Sequence, residues 1–142
     1  MHALDFFLGF PYIVVQMAAK ADSLGQFEQL VLTAILTLGE EAYGVTIHSN
    51  VEELARPKPV ALGAIYVTLE RLEGKRLITS WLSDPTPERG GRAKRYYRLE
   101  APGELALEES AVTAKRIWDG IVEVWGRDWA RELSGRRKKE PA

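Results

Sequence analysis

Two runs with strand character, Leu77 to Asp84 and Tyr96 to Leu99, interrupt a chain whose other patterned segments repeat at helical spacing. The first run is rich in β-branched and aromatic residues: Leu77, Ile78, Thr79, Trp81 and Leu82. Asp84-Pro85-Thr86-Pro87 ends it, Gly90-Gly91 supplies a flexible tip, and Tyr96, Tyr97 and Leu99 mark the return. Two strands joined by roughly ten Pro- and Gly-rich residues predict a long β-hairpin.

Three helices are expected before the hairpin. Ser23 and Gln26 stand at the spacing of a capping box, and Leu24, Phe27, Leu30, Val31, Ile35 and Leu38 form one apolar stripe that Gly39 stops. The second helix is expected from about Val45 to Ala55, with Ile47, Val51 and Leu54 inward; Gly44 opens it and Pro57 closes it. His48 lies on it with no partner ligand in sight and reads as a surface or internally satisfied side chain. After Pro57-Lys58-Pro59 a third helix is expected over Ala61 to Lys75, burying Leu62, Ile65, Tyr66, Leu69 and Leu72. Its opposite face carries Val60, Gly63, Ala64, Val67 and Arg71. Small residues there permit close approach to a DNA groove or to another helix, and periodicity alone leaves both open.

From Pro102 the pattern is helical again, with Leu105, Val112, Trp118, Val122, Trp125, Trp129 and Leu133 in one stripe. A domain of this size has little core left for three terminal tryptophans. The stripe therefore reads as a partner surface, and a second copy of the same helix is the expected partner. Gly120 and Gly126 weaken this helix locally, and the sequence leaves open whether it bends or ends near Gly126. Arg136-Arg137-Lys138-Lys139 reads as a disordered basic tail.

At 142 residues the chain holds one compact domain and one appended element. It has no cysteine and only His2 and His48, which excludes a disulfide framework and argues against a zinc site, so no metal or cofactor is expected. Nor is there a Gly-rich phosphate loop or a nucleophile motif, and the acid pairs Glu40-Glu41 and Glu52-Glu53 read as solvated surface. No catalysis is expected. Net charge is −1, but its distribution is uneven: Arg89, Arg92, Lys94, Arg95 and Arg98 crowd the far arm of the hairpin with no acid among them. Phe6 to Ala19 is too short to span a bilayer, and Asp5 stands where a signal peptide needs positive charge, so a cytoplasmic protein without membrane contact is expected. Met17 is a candidate natural start, which would make residues 1–16 a misassigned start or a poorly ordered arm.

Taken in order, these segments predict a mainly α chain with a small β-hairpin: a winged helix-turn-helix plus a C-terminal dimerisation helix. The expected divisions are residues 1–22 as an N-terminal extension, 23–100 as the DNA-binding domain, 101–134 as the dimerisation helix and 135–142 as the tail. In a winged helix the third helix enters the major groove while the hairpin neutralises adjacent phosphates. The rival outside DNA binding is a winged helix that binds protein; the basic wing favours DNA.

The chain also resembles the PadR-like transcriptional regulators, over roughly Leu24 to Leu107. The resemblance rests on Tyr43-Gly44, on Gly63-Ala64-Ile65-Tyr66, on Leu69-Glu70-Arg71-Leu72-Glu73 and, most specifically, on the wing from Glu88 to Leu99. It implies a dimeric repressor on an inverted-repeat operator of double-stranded DNA. By position it places Gly63, Ala64 and Tyr66 in the recognition helix and Arg92, Lys94 and Arg95 in the wing; Val67, Arg71 and Arg89 complete the expected DNA-binding set. It further implies that Trp118, Val122, Trp125 and Trp129, the expected dimer surface, offer a stacking site for a small aromatic or lipophilic effector, although a plain dimer core is the favoured reading. One departure is Arg76, where such sequences commonly carry Gly. If that turn needs a positive φ, either Arg76 is strained or Gly74 takes the role.

Overall fold

The computed structural model describes residues 23–84 and 93–139. Along them run α1 (Gln26–Leu38), a 3-10 turn (Gly39–Glu41), α2 (Gly44–Ala55), α3 (Leu62–Gly74), β1 (Ile78–Leu82), β2 (Arg95–Leu99) and α4 (Ala101–Lys139). The chain divides into two units at Glu108, so the start of α4 belongs with the helices and hairpin and the rest of α4 stands as the second unit.

The N-cap of α1 lies two residues beyond the expected Ser23. Gly25 is the N-cap, and its N–H donates to Glu28 Oε1 at 3.1 Å, so the Ser23/Gln26 box does not form. A carboxylate here answers both the free N–H and the helix dipole, which a glutamine amide does only in part. Glu28 is buried, and Lys75 Nζ reaches it from beyond the end of α3 at 3.1 Å. Burial pushes its carboxyl upward, but the Gly25 N–H, the Lys75 ammonium and the more distant Arg71 together outweigh that and hold it below its ordinary value. A lowered folded-state pKa contributes stability that is present above the unfolded-state value and lost as pH falls through the folded one. Glu28→Gln should therefore cost about 1–2 kcal/mol at neutral pH, and the gap to wild type should narrow in denaturant melts below about pH 4. A gap independent of pH would mean that the charge plays no part.

The core is made by Val31, Leu32, Ala34 and Ile35 of α1, Ala42, Ile47 and Val51 around α2, Ile65, Leu69 and Leu72 of α3, and Ile78 and Tyr97 of the hairpin. Three expected inward residues are not part of it. Leu54 is 48% exposed, because the Ile47–Val51 line continues at spacing four to Ala55 and passes it by. Leu62 and Tyr66 are exposed as well: the buried line of α3 is Ile65, Thr68, Leu69 and Leu72, so the core face is rotated toward the flank of the polar Thr68 and away from that of Tyr66. Val60, expected outward, packs against the core. It precedes the first helical residue, so helical phase does not govern it, and its carbonyl accepts a hydrogen bond from His48 Nε2 at 2.6 Å. Glu52 Oε1 lies 3.1 Å from the same nitrogen, so His48 is satisfied locally.

The end of α3 resolves the question of Arg76. Leu77 N–H donates to the Leu72 carbonyl at 3.0 Å and Arg76 N–H to that of Glu73 at 2.9 Å, the paired bonds of a Schellman cap. Such a cap needs one left-handed residue. Arg76 supplies it at φ 61, and Gly74 does not take the role. A side chain held there costs about 1 kcal/mol. Arg76→Gly should raise stability by about 0.5–1 kcal/mol in urea titration; a loss would show that the exposed Arg76 side chain contributes more than its strain removes.

β1 and β2 pair antiparallel, with Ser80 opposite Tyr97 and Trp81 opposite Tyr96. Tyr97 N–H also donates to the Ala42 carbonyl at 2.9 Å, and Tyr43 bridges to Tyr96, so the residues just before α2 lie along the open edge of β2. Helix α4 passes through Gly120 and Gly126 without interruption to Lys139, so the question at Gly126 is answered by a continuous helix, and Arg136 to Lys139, expected as a disordered tail, belong to it. The Ala, Glu, Lys and Arg residues spread along the rest of the helix have high helix propensity, and a Lys115–Asp119 pair at 2.7 Å adds support. No helix among the described residues is long and apolar enough to cross a membrane.

Candidate nucleic-acid interface

Burial of Ile65, Thr68, Leu69 and Leu72 turns the other side of α3 to solvent, where Gly63, Ala64, Tyr66, Val67 and Arg71 are all exposed. The line most nearly opposite the core, at spacings of three and four, is Gly63, Val67, Glu70 and Gly74; Tyr66 flanks it on one side and Ala64 and Arg71 on the other. Tyr66 both packs and stays accessible. Its ring crosses α2 at Gly44, where a Cβ would lie 2.7 Å from Tyr66 Cζ, yet the residue remains 47% exposed. Gly44 and Tyr66 therefore form one contact: the helix that carries the exposed face sits this close to α2 because position 44 has no side chain.

Lys94 and Arg95 are held where the strand pair meets its loop, beside Leu82 and Ser83. Arg95 Nη1 donates to Ser80 Oγ across the strand pair at 3.0 Å, and Ser80 Oγ donates to Glu73 Oε1 of α3 at 2.6 Å. Lys94 Nζ lies 4.3 Å above the Tyr43 ring. Tyr43 meets Tyr96 edge-on at 5.5 Å, Tyr96 stacks on Trp81 at 6.0 Å, and the Arg98 guanidinium lies 5.6 Å over Trp81. Burial raises the Tyr97 phenol above its ordinary value against the opposing pull of Arg95, so it stays neutral at physiological pH. Arg95 is thus tied to the end of α3 and Lys94 to the start of α2. Two positive groups held by contacts of this kind lose less freedom on meeting a phosphate than free side chains would. Arg89 and Arg92 lie in residues 85–92, outside the described residues.

Sequence reading missed Ser80, Glu73, Tyr43 and Trp81 as supports for these cations. Trp81 and Tyr96 stood out as strand residues, but their pairing depends on register, which no local pattern in either strand sets. In the second unit, Trp118, Trp125, Trp129 and Leu133 are each at least half exposed, Val122 is half-buried, and the Trp125 and Trp129 rings lie 6.3 Å apart. Ile117, Ile121 and Val124 widen the same apolar face. Among the described residues no cluster of metal-ligating side chains occurs.

Residues 31–109 match the family described as the transcriptional regulator PadR-like family. A PadR family transcription regulator from Clostridium difficile is similar in structure, with a TM-score of 0.60 and 27% identity over 71% of this chain and 99% of that one. A PadR-like transcriptional regulator from Bacillus cereus has a TM-score of 0.57 and 22% identity, over 69% and 89% of the two chains. A PadR-like transcription factor from Bacteroides fragilis shares the fold at a TM-score of 0.53 and 23% identity, over 80% and 99%. Among curated proteins there is no match.

Proposed function

The chain belongs to the PadR-like family of transcriptional regulators, which are not enzymes, and from that premise we propose that it is a dimeric repressor of an inverted-repeat operator. The observation that carries this reading is the exposed face of α3 with Lys94 and Arg95 anchored beside α2 and α3. Groove contacts from α3 read sequence, and the wing cations displace counterions from neighbouring phosphates, which supplies affinity without sequence information. Two copies joined through the tryptophan face of α4 present two such surfaces, and the two-fold symmetry of the pair is what an inverted repeat mirrors.

Trp118, Val122, Trp125 and Trp129 serve first as the core of that dimer. A planar aromatic or lipophilic effector stacking on the same rings would release repression only by binding one dimer geometry better than the other.

The test is fluorescence-anisotropy binding to the DNA upstream of the protein's own gene, at several salt concentrations, against a scrambled duplex. Tight, selective binding with a steep salt slope is the expected result; weak and equal binding to both duplexes would overturn the reading. Lys94→Glu combined with Arg95→Glu removes two cations per protomer, so the salt slope should shrink by about 3–4 and affinity should collapse while the dimer persists. An unchanged slope would remove both residues from the interface.

A further inference from the structure

We propose that Val67 reads sequence, by apolar contact with the C5-methyl group of a thymine in each half-site; the inference rests on the DNA-binding reading above. Val67 is 57% exposed at the centre of the outward line of α3. One turn before it stands Gly63, where an added Cβ would meet nothing within 4 Å, so the helix surface ahead of Val67 is bare backbone. A helix entering a major groove by its N-terminal turns brings this segment nearest the base edges. Glu70, one turn further along the same line, is an exposed carboxylate. Phosphates repel it, which turns this line toward the groove floor and leaves the backbone to Arg71 on the flank.

An isopropyl group at that place neither donates nor accepts a hydrogen bond. The one apolar feature that the major groove offers is the thymine methyl. Valine is also stiff at χ1 in a helix, so little freedom is lost when it docks. Single exposed apolar residues are ordinary on protein surfaces. Val67 differs in position: it is the one large apolar side chain on the outward line, one turn after a glycine that clears the approach.

The experiment uses full-length protein and the duplex that it enriches from a random-sequence pool. Each thymine is replaced in turn by deoxyuridine, which removes the methyl and leaves every hydrogen-bonding group in place. Wild-type protein should lose affinity by about fourfold per half-site at one symmetry-related thymine pair. Val67→Ala should bind the thymine and uracil duplexes within about twofold of each other, whereas Val67→Thr, which keeps one γ-methyl, should retain most of the discrimination. Methyl removal without effect at every thymine, or a loss undiminished in Val67→Ala, would overturn the assignment and leave the DNA-binding reading intact. Failure to enrich any sequence would overturn both.

Discussion

Gly103→Ala is expected to lower the melting temperature by about 10 °C or more, out of proportion to the single methyl group added. Gly103 is buried in the first turns of α4, and its neighbour is backbone. A Cβ at this position would overlap the Leu77 carbonyl oxygen and lie 2.9 Å from the carbonyl carbon. That same carbonyl accepts the Glu100 N–H at 2.9 Å, so the turn into α4 is bonded to the residue with which the methyl would collide. No rotamer change relieves a clash against main chain. Either α4 moves away from the start of β1 or the Schellman cap that ends in Leu77 distorts, and each course opens the core beneath Ile78. The expected cost is about 3 kcal/mol, at the upper end for overpacking. Gly120→Ala is the control: it lies within the same helix with nothing within 4 Å of an added Cβ, so it should hold or raise the melting temperature. Equal melting temperatures for Gly103→Ala and wild type would show that the close approach is not required.

Most of this architecture was legible in the chain because its strongest signals are local. The apolar stripe of α1, the Pro57 stop and the strand character of Ile78 to Leu82 each act within a few residues, where periodicity and turn chemistry decide the outcome. The misses share a different cause. Tyr66 and Thr68 flank the Ile65–Leu69–Leu72 line on opposite sides, and a ranking by apolarity turns the buried face toward the tyrosine; the packing turns it toward Thr68 and leaves Tyr66 against Gly44 of α2. Ser23 and Gln26 satisfy a capping rule, yet Lys75, 47 residues away, rewards Glu28 instead. The sequence places Arg95 in the wing, and only register shows that Ser80 and Glu73 fasten it. In each case the deciding contact lies far along the chain or across a strand pair, beyond the reach of a local pattern.

Trp125→Glu should convert the protein to a monomer and, through that change alone, reduce operator affinity by about 10²–10⁴-fold. Trp125 is 55% exposed at the middle of a stripe that runs from Trp118 through Val122 to Trp129 and Leu133, with the Trp129 ring 6.3 Å away. Each tryptophan buried in a dimer removes on the order of 150–250 Å² from water, so the stripe is the largest store of association energy on this helix. A carboxylate at its centre reverses the balance twice over: it must be desolvated, and two-fold symmetry brings a second one close by. Light scattering should then report the 15.9 kDa chain mass where the wild type gives twice that value. Binding to an isolated half-site should survive, since α3 and the wing lie in the other unit, and only the gain from linking two half-sites is lost. Trp125→Phe, which keeps the ring, should stay dimeric with near-normal affinity. A Trp125→Glu protein that remained dimeric and bound its operator normally would place the interface elsewhere and remove the tryptophan face from the mechanism.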